Sequence, residues 1–112
     1  MNKALTFIYD DFSDRLYISS KKPSEKVYGS ARVLNITLDF TSDKRVVGIE
    51  LRNASKHLGS IGINPEILSK LTGAEIVFQK QRDGYLIYFV LHTGLKVERI
   101  PYNILTENPI LQ

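Results

Sequence analysis

The chain of 112 residues has no cysteine and no tryptophan, and only two histidines. The missing sulfur excludes disulfides, thiolate catalysis and cysteine-built zinc sites. His57 and His92 lie far apart and show neither His-x-x-x-His nor His-Glu-x-x-His spacing. A zinc site would need both plus borrowed carboxylates, so they read as ordinary surface residues and no metal site is expected. Acyl transfer of the α/β-hydrolase kind lacks its Gly-x-Ser-x-Gly elbow, and no Walker A or dinucleotide fingerprint is present. No catalytic residue and no cofactor is therefore assigned. Long apolar runs are missing too: the longest, Tyr85 to Leu91, has seven residues. A membrane-spanning helix needs about 20, so a soluble protein without a membrane partner is expected. The acidic pair Asp10-Asp11 comes too early for a secretory signal, which makes the cytoplasm the expected compartment.

What is present is ordinary globular material, 43% hydrophobic and 24% charged. The length suits one domain, residues 1–112. Isoleucine, leucine and valine together number 32, enough to build a core without a disulfide or metal staple. The net charge of +3 is unevenly placed. Residues 1–60 hold ten basic and seven acidic side chains, and residues 61–112 hold five of each. Lys21, Lys22, Lys26 and Arg32 against Glu25 account for the surplus.

Alternation with period two dominates the chain and predicts strands. Leu5, Phe7 and Tyr9 alternate with Ala4, Thr6 and Ile8. After the turn Asp10-Asp11-Phe12-Ser13-Asp14, the run Arg15–Ser19 completes a first hairpin. Ser20 to Arg32 reads as a long exposed loop. A second hairpin joins Leu34, Ile36, Leu38 and Phe40 to Val47, Ile49 and Leu51. A helical turn over Asn53–Leu58, closed by Gly59, comes next. A short helix then starts at the cap Asn64 with Pro65 in its first turn, staples Ile63 to Leu68, and stops at Gly73. Gly59-Ser60-Ile61-Gly62 matches the Gly-x-x-Gly of nucleic-acid-clamping loops, but strands surround it and it reads as a turn. A three-stranded meander ends the chain: Ala74–Arg82, the turn Asp83-Gly84, Tyr85–His92, the turn Thr93-Gly94, and Leu95–Pro101. The tail from Tyr102, with Asn108-Pro109, reads as irregular. The expected fold is mainly β (α+β), with about seven antiparallel strands in hairpins and a meander and one or two short helices. Residues 1–58 form a double hairpin, and 59–112 add the helix and meander.

The stretch Ile8-Tyr9-Asp10-Asp11-Phe12-Ser13-Asp14-Arg15-Leu16-Tyr17-Ile18 resembles the opening of small prokaryotic proteins grouped as domain-of-unknown-function family 2283. Leu38-Asp39-Phe40, Val46-Val47-Gly48-Ile49-Glu50-Leu51 and Asn53-Ala54-Ser55 resemble the second half of its signature. The resemblance covers roughly residues 8–58. A long basic loop before Val33 and about 40 residues after Leu58 depart from the pattern. The resemblance implies a fold unit rather than an activity, with an antitoxin-like partner role conceivable.

Three functional readings follow. Tyr85–Leu91 is apolar on both faces and must be covered twice, by a second sheet or a second subunit; little helix is available. A non-enzymatic, self-associating interaction module, a homodimer able to take a protein partner, is the leading expectation. Lys21, Lys22, Lys26, Tyr28 and Arg32 are the candidate nucleic-acid residues, cations for phosphates and an aromatic ring for a base; a solvated loop is the favoured alternative. The motif acids Asp10, Asp14, Asp39 and Glu50 would serve a carboxylate-based metal or hydrolytic site. Their plainer roles are turn closure for Asp10 and Asp14, and a solvated strand face for Asp39 and Glu50.

Overall fold

The computed structural model describes residues 2–3, 6–82, 84–102 and 104–105. Ala4 and Leu5 of the first strand, Asp83 of the Asp83-Gly84 turn, and Asn108-Pro109 of the tail lie outside the described residues. The elements are β1 (Asn2–Lys3), β2 (Thr6–Asp10), β3 (Arg15–Ser19), β4 (Gly29–Val33), β5 (Ile36–Phe40) and β6 (Val46–Arg52). Helix α1 (Ala54–Ser60) and a 3₁₀ helix (Pro65–Lys70) follow, then β7 (Gly73–Gln81), β8 (Gly84–His92), β9 (Val97–Pro101) and β10 (Ile104–Leu105). This is the expected mixed, mainly β architecture with two short helices.

The strands form two antiparallel sheets. The first runs β2-β3-β6-β5-β4, and the second runs β1-β7-β8, with β9 and β10 both paired to β8. Alternation explains how the sheets meet. Leu16 and Ile18 of β3, Ile36 and Leu38 of β5, and Ile49 and Leu51 of β6 point inward. Ala74 and Ile76 of β7, Ile87, Phe89 and Leu91 of β8, and Ile100 of β9 belong to the same core. Ala54 and Leu58 of α1 and Leu68 of the 3₁₀ helix join it. The inner face of β8 is thus covered by the first sheet. Among the described residues no helix is long and apolar enough to cross a membrane.

Several local expectations need correction. Ser20–Arg32 is not wholly loop: Gly29–Val33 pairs with β5 as an edge strand. Its Gly-Ser-Ala-Arg-Val sequence carries too little apolar alternation to announce a strand. Leu34 is not a strand residue. It occupies the two-residue turn between β4 and β5 at φ +54° and is 78% exposed. The N-terminal run is divided, since Asn2–Lys3 pairs with β7 while Thr6–Asp10 pairs with β3. Asn64 does cap the 3₁₀ helix, accepting from the Glu66 N–H at 3.0 Å. Gly73 does not stop that helix: Leu71 is already extended and Gly73 opens β7. Gly59 lies within α1, and the left-handed residue beyond it is Gly62, at φ +81°. Of Gly59-Ser60-Ile61-Gly62, read as a turn, only residues 61–62 are turn, since Gly59 and Ser60 end α1. After Tyr102 the chain is not wholly irregular, because Ile104–Leu105 pairs with β8.

Candidate functional site

The turn between β2 and β3 holds Asp10 and Asp14. Asp10 accepts from the Phe12 N–H at 3.0 Å and the Ser13 hydroxyl at 2.9 Å, which closes the turn. The Ser13 and Phe12 bonds hold its carboxyl below the usual range. Asp14 reaches much further. Its Oδ1 accepts from the Tyr9 hydroxyl at 2.7 Å and the Ser55 N–H at 2.9 Å, and its Oδ2 from the Ser55 hydroxyl at 2.7 Å. Its carbonyl accepts from the Ala54 N–H at 3.0 Å. Asn53, the residue before α1, makes no side-chain cap bond. Asp14 therefore satisfies the first N–H groups of α1 from another part of the chain. Burial raises its pKa, but the Tyr9 and Ser55 bonds outweigh that and leave it below the ordinary value. Tyr9 is pushed up to about 12 by burial, by its bond to Asp14, and by the charges of Asp14, Asp11 and Asp10.

Asp39 and Glu50 lie on the outer face of the first sheet. Asp39 accepts from the Ser30 hydroxyl at 2.6 Å and the Tyr17 hydroxyl at 3.3 Å. Gly48 lies between Ser19 and Asp39 in register. A Cβ at Gly48 would approach the Asp39 carboxylate to 3.0 Å and the Tyr17 hydroxyl to 3.1 Å. The glycine of the Gly-Ile-Glu motif thus leaves room for the Tyr17–Asp39 contact above it. Glu50 stands 3.9 Å from Arg15. Burial raises the Tyr17 pKa, and the charges of Asp39 and Glu50 add to it. The four motif acids are thus sorted into two pairs, one in the first turn beside Tyr9 and one on a strand face beside Tyr17. Among the described residues no three His, Cys, Asp or Glu side chains gather as a metal site.

The basic loop is partly tied to itself. The Lys21 amine donates to the carbonyls of Glu25 at 3.1 Å and Lys22 at 3.5 Å, and Glu25 pairs with Arg45. Lys22, Lys26 and Tyr28 are exposed in the loop, whereas Arg32 is exposed on β4. An open hollow of about 720 Å³ lies between Ser24–Tyr28 and Thr41–Asp43. A second, of about 450 Å³, separates Ile63 and Ile67 near the 3₁₀ helix from Leu95 and Lys96 in the β8–β9 turn.

The second sheet has an outer face of another kind. Register places three residues in each of three rows across β7, β8 and β9: Gly73–His92–Val97, Glu75–Val90–Arg99 and Val77–Tyr88–Pro101. Gln79 and Leu86 follow. The Arg99 guanidinium carbon stands 5.6 Å from the Tyr88 ring centroid, and His92 Nε2 lies 3.5 Å from Glu75 Oε2. Val90 is nearly buried, while Val97 is 60% exposed. Sequence reasoning flagged β8 as apolar on both faces but named none of its outer-face neighbours. The usable signal was register, since Glu75 and Arg99 come to share a row with Val90 only once β7, β8 and β9 are aligned.

Both histidines are only part-exposed rather than the open surface residues expected, His57 on α1 and His92 on the outer face of β8. Both Nε2 atoms are buried. The His57 ring centroid lies 5.2 Å from that of Tyr102, and burial lowers its pKa. Tyr102, whose own pKa burial raises, donates its hydroxyl to Asn35.

Comparison with known proteins adds one finding. The family model described as protein of unknown function (DUF2283) matches residues 6–55. That span takes in all of the first sheet and both Asp14 partners, Tyr9 and Ser55. No curated protein and no solved structure matches the chain.

Proposed function

We propose that this chain, whose residues 6–55 match the DUF2283 family model and whose second sheet lies outside that match, is a cytoplasmic, non-enzymatic interaction module that self-associates. The outer face of β7–β8–β9 supports this reading. It carries the half-buried Val77, Leu86 and Tyr88 and the exposed Val97 around a buried Val90, with Glu75 and Arg99 among its charges, Lys3 of β1 beside Glu75 in register, and His92 at one end. The inner face of the same strands already fills the core, so these outer side chains add nothing to the inter-sheet packing. An apolar centre with a few charges beside it is the usual composition of a protein interface. Light scattering from about 1 to 100 µM, a range suited to a modest interface, tests the reading. The expected result is a mass rising toward twice that of one chain; a single-chain mass throughout overturns it.

A second reading, nucleic-acid binding, is favoured by the joint exposure of Lys22, Lys26, Tyr28 and Arg32. On that reading a labelled mixed-sequence oligonucleotide binds at low salt and is released steeply as salt rises. No binding at low salt removes it.

A further inference from the structure

We infer that the free edge of β2, on the first sheet, takes an added strand: an extended peptide segment of a partner protein, with a cation at its N-terminal end and apolar residues at alternate positions after it. Among the described residues β2 pairs only with β3, so one side of its backbone has no ladder. The edge strands β4, β9 and β1 are blunted. β4 opens on Gly29 and carries Arg32, β9 carries Glu98 and Arg99 and ends on Pro101, and β1 has two residues. β2 has none of these devices. It is four strand formers, Thr6 to Tyr9, followed by Asp10, whose carboxylate is held in the turn.

Alternation supplies the rest of the site. Thr6, Ile8 and Asp10 are exposed, while Phe7 and Tyr9 pack against the core. Phe7, Tyr9 and Asp11 line one hollow of about 320 Å³, whose other wall is Leu68, Ser69 and Leu71 on and just after the 3₁₀ helix. A strand laid along β2 sends every second side chain to that side. Two of them meet the apolar walls beside Tyr9 and Phe7, and the one opposite Asp11 meets a carboxylate. Asp11 makes no hydrogen bond or ion pair among the described residues, unlike Asp10 and Asp14 of the same turn. Antiparallel pairing continues the order of the sheet and sets the N-terminal end of the added strand beside Asp11. The resulting pattern is cation, any, apolar, any, apolar. A second copy of β2 does not carry it: with Phe7 and Tyr9 in the apolar places, Leu5 falls where the cation belongs.

The probe is the capped peptide acetyl-Lys-Thr-Val-Thr-Val-Thr-amide, titrated into isotope-labelled protein and followed by amide chemical shifts. Saturable shifts are expected on β2 and on the 3₁₀ helix, with a dissociation constant below about 1 mM. Asp11 is exposed and unpaired, so Asp11→Lys tests the charge without loosening the fold. It should weaken binding at least about fivefold, and a peptide with Glu in place of Lys should prefer this variant to the wild type. Serine in place of both valines should abolish the saturable shifts. Three results would each overturn the inference. The first is no saturation with several millimolar peptide. The second is binding indifferent to both Asp11→Lys and the valine changes. The third is β2 shifts that follow protein concentration without peptide, which would assign the edge to a second copy.

Discussion

The two sheets share one core but finish their outer faces differently. On the first sheet the outer polar groups bond to one another: Ser30 and Tyr17 to Asp39, with Arg15 near Glu50. The turn below it is fastened to α1 through Tyr9, Asp14 and Ser55. The second sheet carries aliphatic rows, and the contacts of its charges among the described residues include Glu75–His92 and Arg99–Tyr88. The family signature lies almost wholly on the first sheet, and most of its polar positions have structural partners. A recognisable signature therefore marks how this half is braced, whereas the half outside the match is where the interface proposed for self-association lies.

The strongest way to break that contrast is to remove a fastening from each half. Asp14→Ala deletes three side-chain hydrogen bonds and strands the Ser55 N–H at the start of α1. A charged acceptor in this setting is worth about 2–3 kcal/mol, which in a chain this size lowers the melting temperature by roughly 10 °C. Asp14→Asn keeps the shape and part of the bonding and should fall between. The matching change in the second sheet, Glu75→Ala, removes a single 3.5 Å contact to the part-exposed His92 and should cost about 1 kcal/mol or less in dilute solution. Equal losses for the two alanine variants would erase the distinction. A smaller effect sharpens it. Gly48→Ala drives a methyl group between Tyr17 and Asp39 and should cost about 1 kcal/mol, after the small gain from stiffening the unfolded chain. In a Tyr17→Phe background, where the hydroxyl is gone, the same methyl should cost clearly less. Additive losses in denaturant titrations would show that Gly48 is not making room for that contact.

The sequence shows clearly those features that depend on near neighbours. Ile36–Phe40 with Val46–Arg52, and the cap at Asn64-Pro65, follow from alternation and from side chains bonding to adjacent backbone. Features that depend on distant partners stay hidden. Asp14 looks like a turn residue because its turn is local, while its main work is done on Ser55, 41 positions away. Leu34 mimics the strand period because an apolar residue at a turn and one in a strand look alike in a single sequence. β4 is hidden for the opposite reason: as an edge strand it satisfies its neighbour through backbone bonds and needs few apolar side chains. The outer-face rows of the second sheet exist only after register aligns three strands.

The smallest expected effect lies where the sheets meet the helix. His57 sits on α1 against Tyr102, which follows β9, while the Tyr102 hydroxyl bonds to Asn35 in the β4–β5 turn of the first sheet. Its Nε2 is buried and has no hydrogen-bond partner among the described residues. Burial penalises the imidazolium, so the folded pKa lies below the ordinary histidine value. The unfolded chain, with a pKa near 6.5, therefore binds the proton first as pH falls. The neutral ring contributes its full share of stability above that pH, and the share is lost as pH drops through it toward the lower folded value. Wild-type unfolding free energy should thus decline as pH falls through about 6.5, where the unfolded chain takes up a proton that the folded ring resists. His57→Gln, which cannot titrate, should flatten that slope while leaving the decline below about pH 4, where the unfolded chain's Asp14 takes up a proton that the folded carboxylate still resists. An unchanged slope in the variant would place the acid sensitivity elsewhere and leave the junction of the two sheets without a titrating group.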